Sequence, residues 1–398
     1  MDLADHWTFR ANPHYRPVPA ERLTDAERGL LGDQDGLYGM LRPARGSGLD
    51  PRSCSADTAL LFFTLAEPGP VPAFARAGLG PSAGRVLARL VVDGVLEVSA
   101  GDGCFRSGPQ AASLLLPGRS AAGRGRVAEL SVAALRHAQA LPGASADALA
   151  VRLYRYGRRP VSSRLRRRLP DEAAVDSYLG LAPGGPAARV FGAAWTERSA
   201  ASPAPWRYWA RRGESEPGLT YKLYVSPAFA ETPAALAAAA GVLGGTRGVT
   251  GFKAARDLGG LCRPDKLVAY FGRLDDLRAA AARLTGEIGG MPAQGVPFTA
   301  AVGLDGLLSW GADPPPGPAG PASWRTWVTG RLADYLLAAR DADGPARDAG
   351  GPAVPARDAG GPAPEPWRFA LERLRLTGVD TDTWVPKSGL WHDAPAAG

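Results

Sequence analysis

Apolar and polar positions change rhythm along this chain, and the changes divide it. Residues 1–54 are broken by Pro and Gly and end in "RPARGSGLDP", which predicts an extension packed on the next segment. From residue 55 the rhythm becomes helical. "SADTALLFFTL", "PVPAFARAGL" and "PSAGRVLARLVVDGVLEV" predict three helices, and "SAGDGCFRSG" places a tight turn between two short strands. Across 126–185, "SVAALRHAQAL", "SADALAVRLYRYG" and "DEAAVDSYLGL" repeat apolar residues at three and four spacing, predicting a helical bridge. From 186 onward short apolar runs ("KLYVSP", "KLVAYF", "FTAAV") alternate with alanine-rich helices ("AETPAALAAAAGVL", "LDDLRAAAARLTGEI"), which argues an α+β domain to residue 398. Within it "PARDAGGPA" occurs at 345 and again at 355, so 341–364 reads as a disordered, low-complexity insertion before the amphipathic "EPWRFALERLRL".

The fold class expected is α+β, and the order helix, helix, helix, hairpin over 55–125 is that of a winged helix-turn-helix. Its third helix offers only Arg85 and Arg89 among Ala, Leu and Val, thin for reading a DNA groove. The segment is similar to the small winged-helix elements that bind leader peptides in enzymes modifying ribosomally made peptides, where a peptide strand adds to the wing. Peptide binding therefore ranks above DNA binding, with structural packing level with it.

Composition narrows the classes further. No apolar run among the 398 residues is long enough to span a membrane, and "MDLADHWTFR" is not a secretion signal, so the expected location is cytoplasmic. Cysteines 54, 104 and 262 and histidines 6, 14, 137 and 392 show neither disulfide nor metal-ligand spacing. The formal charge is +7, much of it in "RLYRYGRRPVSSRLRRR" (152–168), eight arginines with no acid. Such a run is either a solvated surface or a docking face for phosphates or an acidic peptide.

The candidate chemistry begins at "YKLYVSP" (221–227). Strand alternation puts Lys222, Tyr224 and Ser226 on one face and Tyr221, Leu223 and Val225 on the other. A solvated edge strand would look the same. Downstream come "GFKAARDLGGLCRPDKLVAYF", a helix, and a last hairpin, "GVPFTAAVGLDGLLSWGADPP". A strand with K-x-Y, an "FK", a loop ending in "DK", a strand ending in two aromatics, a helix and a final hairpin: in that order the block resembles the phosphothreonine and phosphoserine lyases of bacterial effectors, of the Hop effector family and of some lanthipeptide synthetases.

That resemblance implies a lysine base and, two residues on, a proton donor that is usually His. Lys222 falls at the first position; Tyr224 stands at the second. Eliminating phosphate needs a base for the poorly acidic α-carbon, stabilisation of the enolate and a donor for the leaving phosphate. Lysine serves as base only when neutral, and neighbouring Lys253, Arg256, Arg263 and Lys266 supply cations that both lower its pKa and clamp phosphate. Ordinary roles compete with these: Lys253 snorkelling, Arg256 in a surface pair with Asp257, "RPDK" a plain turn and Trp310 a core residue. The expectation is a lyase that makes dehydroalanine or dehydrobutyrine in a ribosomally made precursor, without metal or organic cofactor, a separate kinase installing the phosphate. Open alternatives are a cyclase acting on dehydroamino acids, as in thiopeptide pathways, a non-catalytic precursor-binding subunit, and a winged-helix regulator.

Overall fold

The computed structural model describes residues 7–31, 36–47, 49–115, 123–198, 206–213, 221–316, 322–343, 365–387 and 390. Of the expected disordered insertion 341–364, residues 341–343 instead end a helix, and the rest, both repeats included, lies outside the described residues. The fold is α+β. The chain divides into two compact units: 1–121 with 334–379 and 388–398, and 122–333 with 380–387. This differs from a boundary at 186. The helices of the expected bridge fall in the same unit as the large sheet, and the last of them, Glu172–Leu179, buries Val175 and Leu179 in the core of that sheet. Residues 334–379 instead join the N-terminal unit, where Arg373 grips Asp93 with both forks at 2.5 and 2.7 Å.

In the first unit, β1 (Thr8–Ala11) precedes β2 (Tyr15–Pro19), α1 (Asp25–Leu31), β3 (Leu37–Pro43) and β4 (Arg52–Ser55). Three helices come next, α2 (Ala56–Thr64), α3 (Ala73–Leu79) and α4 (Ala83–Val92), then β5 (Leu96–Ser99) and α5 (Gly108–Leu115). Ser55 starts α2 by accepting from the Thr58 amide, the usual role of a hydroxyl N-cap. After β5 the chain turns through Gly101 and Gly103, both at positive φ, and returns so that Arg106 bridges Val98. The order read from the sequence is thus present. The 1–54 segment, however, builds β-structure of its own. β1 pairs antiparallel with β5 over four residues, with Arg10 opposite and salt-bridged to Glu97, while β2, β3 and β4 form a second sheet. The edge of β5 that a peptide strand was expected to join is occupied by β1. Gly39 is required where β3 bulges, since a β-carbon there would lie 2.1 Å from the Val18 carbonyl oxygen.

The second unit opens with α6 (Arg126–Gln139), α7 (Ala146–Arg155), α8 (Ser163–Arg168), α9 (Glu172–Leu179) and α10 (Pro186–Ala194). It continues with β6 (Trp195–Glu197), β7 (Trp206–Arg211), β8 (Tyr221–Val225), α11 (Thr232–Gly244), β9 (Val249–Ala255) and the short α12 (Leu258–Leu261). β10 (Leu267–Phe271), α13 (Leu274–Ile288), β11 (Ala300–Val302), β12 (Leu308–Ala312) and the first turns of α14 (Trp324–Asp343) complete it. Seven strands make one sheet in the order β11-β12-β8-β10-β9-β7-β6, every neighbour antiparallel.

Period-two alternation gives this sheet two unlike faces. One carries Trp209, Leu223, Val225, Phe252, Ala269, Phe271 and Trp310, packed against Val175 of α9, Phe191 of α10, Leu236 and Leu243 of α11 and Leu277 and Leu284 of α13. Burial of each large side chain there stabilises the unit by roughly 2 kcal/mol. Tyr224 belongs instead to a small separate cluster with Val268, Val296 and, at its margin, Tyr270. That second face carries the polar candidate residues of the sequence.

Candidate active site

Register determines which side chains meet on the polar face. Lys222 lies opposite Tyr270 on one side and Gly311 on the other, and Tyr224 opposite Val268 and Ser309. Lys253 lies opposite Val268 and Tyr208. Both amines approach the ring of Tyr270, Lys222 at 5.6 Å and Lys253 at 5.9 Å from its centroid. Lys253 also stands 4.1 Å over Trp206, and the Arg263 guanidinium is 4.8 Å from the same ring. Three of the predicted cations, Lys222, Lys253 and Arg263, thus share one aromatic floor. Gly251 and Gly311 admit other rings: a β-carbon at Gly251 would sit 2.4 Å from the Tyr208 hydroxyl, and one at Gly311 2.5 Å from the Trp324 ring.

The cations are not equivalent. Lys222 forms an ion pair with Asp313. Lys253 has no carboxylate within ion-pair distance among the described residues. Burial, then the charge of Lys222, hold the Lys253 amine down at about 8, with Arg263 acting in the same direction against Asp265 and Asp313. An amine so placed is partly neutral near neutral pH. Arg263 gives Asp265 a two-point clasp at 2.8 Å on each oxygen and donates to the Tyr154 hydroxyl at 2.9 Å. Burial alone would raise Asp265, yet Arg325 at 2.8 Å and the Arg263 clasp keep it well below the usual carboxylate range. Arg325 is anchored in turn by the Tyr154 carbonyl at 2.6 Å. Four cations against two carboxylates leave this face positive, ready for an anion.

The other predicted residues are placed elsewhere. Arg256 makes an exposed pair with Glu172 at 2.8 Å, and Asp257 caps α12. Lys266 is fully buried, donating to the Pro227 carbonyl at 2.8 Å and to Gln294 at 2.6 Å. Burial lowers its pKa to about 7, but its hydrogen bonds stitch strand ends together and leave no open face for a phosphate. Tyr224 is on the right face but deep, 3% exposed, and burial pushes its phenol well above the ordinary value, with Asp313 adding to the rise. Tyr270 is raised likewise, first by burial, then by Tyr208. Trp310, on the opposite face, is core.

Sequence reasoning missed Tyr154, Trp206, Tyr208, Asp265, Tyr270, Asp313 and Arg325. The alternation of "WRYWARR" puts Trp206 and Tyr208 on one face, a signal comparable to K-x-Y. Beside this face a cleft of about 320 Å³ is lined by Val151, Arg155, Arg158, Arg263, Asp265 and Thr326, among others; the two lysines are not in its wall. Among the described residues no group of three or more His, Cys, Asp and Glu side chains is placed to hold a metal ion, and no helix is long and apolar enough to cross a membrane.

No protein-family description and no curated protein matches the chain. Among the solved structures that resemble it are two bacterial effectors. One is the effector protein from Pseudomonas syringae pv. tomato strain DC3000, at 13% identity over 66% of this chain and 97% of that one, with a TM-score of 0.39. The other is the effector protein from Pseudomonas syringae pv. syringae strain 61, at 14% identity over 65% and 98%, with a TM-score of 0.37. At these values the likeness carries neither fold nor chemistry, which rest on the geometry above.

Proposed function

We propose that the polar face of the seven-stranded sheet eliminates phosphate from phosphoserine or phosphothreonine in a peptide. The observation that carries the reading is Lys253: packed on aromatic rings, without an acid partner among the described residues, and held near 8 by burial and by the charges of Lys222 and Arg263. Its neutral amine takes the α-proton; the C–H pair becomes the Cα=Cβ double bond; the Cβ–O bond breaks and its electrons leave on phosphate. Lys222 and the free edge of Arg263 hold the phosphate oxygens, as point charge and fork respectively. The products are dehydroalanine or dehydrobutyrine and inorganic phosphate. The base is thus Lys253 and not Lys222, whose pairing with Asp313 suits it to hold an anion.

A departing phosphate trianion is basic and takes a proton. Of the phenols on this face, Tyr270 is the one both amines approach, and we assign it the donor role; Tyr224, among Val268 and Val296, backs it. The substrate we infer is a ribosomally made precursor, phosphorylated by a separate kinase, with the N-terminal unit holding its leader. The order of α2, α3, α4 and β5 supports that role, and the pairing of β1 with β5 directs the leader away from that edge. Fluorescence polarisation with leader peptide and with duplex DNA tests it: strongly salt-dependent binding to DNA with none to leader contradicts it.

A cyclase acting on dehydroamino acids is the second reading, favoured by the burial of Tyr224 where a lyase of this type has a histidine. Incubation with a phosphorylated peptide and with its dehydrated product separates the two. Loss of phosphoric acid from the first supports elimination; change only in the second supports cyclisation.

A further inference from the structure

The eight arginines of residues 152–168 are all exposed, and among the described residues none of them has a carboxylate within ion-pair distance. Elsewhere the chain matches arginines with acids, as in Arg10–Glu97, Arg207–Asp176 and Arg373–Asp93. Here the partners are carbonyls and rings: Arg158 donates to the Gly259 carbonyl at 2.8 Å, Arg159 lies over Phe229, and Arg168 over Tyr178. Three nearby acids are already engaged. Asp171 caps α9, Glu172 holds Arg256 and Asp257 caps α12. These arginines of α7, α8 and the turn between them therefore have no carboxylate at ion-pair distance, which costs self-repulsion unless an anion covers them.

Two features give the surface a direction. Val151 and Arg155, one turn apart on α7, and Arg158 just beyond its end line the 320 Å³ cleft together with Arg263 and Asp265. Arg263 is also part of the aromatic floor beneath Lys253. A cationic track thus leads into a cleft that shares a residue with the reacting face. Val151, 47% exposed, adds an apolar wall.

We propose that α7, α8 and the turn between them dock an acidic, partly apolar segment of the peptide substrate, next to the residue that reacts at Lys253. The proposal rests on the reading of the sheet face as a peptide-modifying site, and it adds the sequence class selected there: glutamate- and aspartate-rich flanks. Nucleic acid fits less well. Single strands use exposed aromatic platforms between cations, whereas Tyr154 is taken by Arg263 and Arg325, and Tyr156 leans on His137.

The test is binding, measured by fluorescence anisotropy on the full chain. The probe is a fluorescein-labelled peptide of Glu, Ala and Val, without Ser, Thr or Tyr, so that no phosphate chemistry contributes. Saturable binding is expected, falling with salt, weakened about tenfold by combined Arg152→Glu, Arg155→Glu and Arg167→Glu, and retained in Lys253→Ala. A milder Arg155→Gln, Arg167→Gln variant, checked by thermal unfolding, repeats the measurement if the reversals disturb folding. Retention in Lys253→Ala keeps docking separable from the elimination reading, since either can fail alone. Absence of binding, or equal binding by the reversed variants, overturns the proposal. Tighter binding to single-stranded DNA or to phosphatidylserine vesicles than to the peptide also overturns it and reassigns the surface.

Discussion

Lys253 binds its proton under two pressures, burial and the charge of Lys222, and both have consequences that can be measured. Elimination should rise with pH through about 8 and level off above it, because only the neutral amine is a base. Lys222→Met should move that limb upward by removing a neighbouring charge, as well as weakening substrate binding; a pH-rate profile of both proteins checks it. Stability depends on the same group. The unfolded lysine keeps its ordinary 10.5, so between about pH 8 and that value the unfolded chain binds more protons. Stability therefore rises with pH across the window, and below it the cost of a charged, buried amine is fully present. Lys253→Met should abolish elimination yet unfold no more easily at pH 7, gaining up to about 3 kcal/mol. Marked destabilisation would make Lys253 a structural residue. Tyr270→Phe should cost roughly a hundredfold in kcat and Tyr224→Phe less than about tenfold; the reverse order would return the donor role to Tyr224.

At the scale of elements, the loop before β10 matters most. Asp265 is enclosed by Arg263 and Arg325, with Tyr154 of α7 against all three. Removing its charge leaves two buried guanidinium contacts unbalanced, so Asp265→Asn should lose roughly 3 kcal/mol or more in denaturant unfolding. Arg256→Ala, on an exposed pair with Glu172, should change kcat/KM less than about twofold, since such pairs contribute under about 1 kcal/mol. These two residues show where the sequence was legible. Alternation exposed Lys222 and the two unlike faces of 221–227, because strand geometry repeats every two residues. It could not tell Asp265 from an ordinary turn or Arg256 from a clamp, because their roles depend on Arg325 and Glu172, distant in sequence. Lys266 misled for the same reason: its partner, Gln294, lies beyond α13.

At the scale of the molecule, changes in hydrophobic rhythm divided the chain into segments but did not say which segments pack together. Helices of 126–185 carry apolar stripes that fit many surfaces, and only packing assigns them to the unit that holds the sheet. The N-terminal residues looked like an extension because Pro and Gly interrupt them, yet β1 pairs with β5, far along the chain, through a register no local pattern announces. Wild-type protein and Lys253→Ala should each be incubated with a peptide containing phosphothreonine and acidic flanks, and the products weighed by mass spectrometry. The account predicts loss of phosphoric acid, about 98 Da, with a new dehydrobutyrine in the wild type only, in keeping with a base whose removal stops the reaction. An unchanged peptide in both, or equal loss in both, would contradict it.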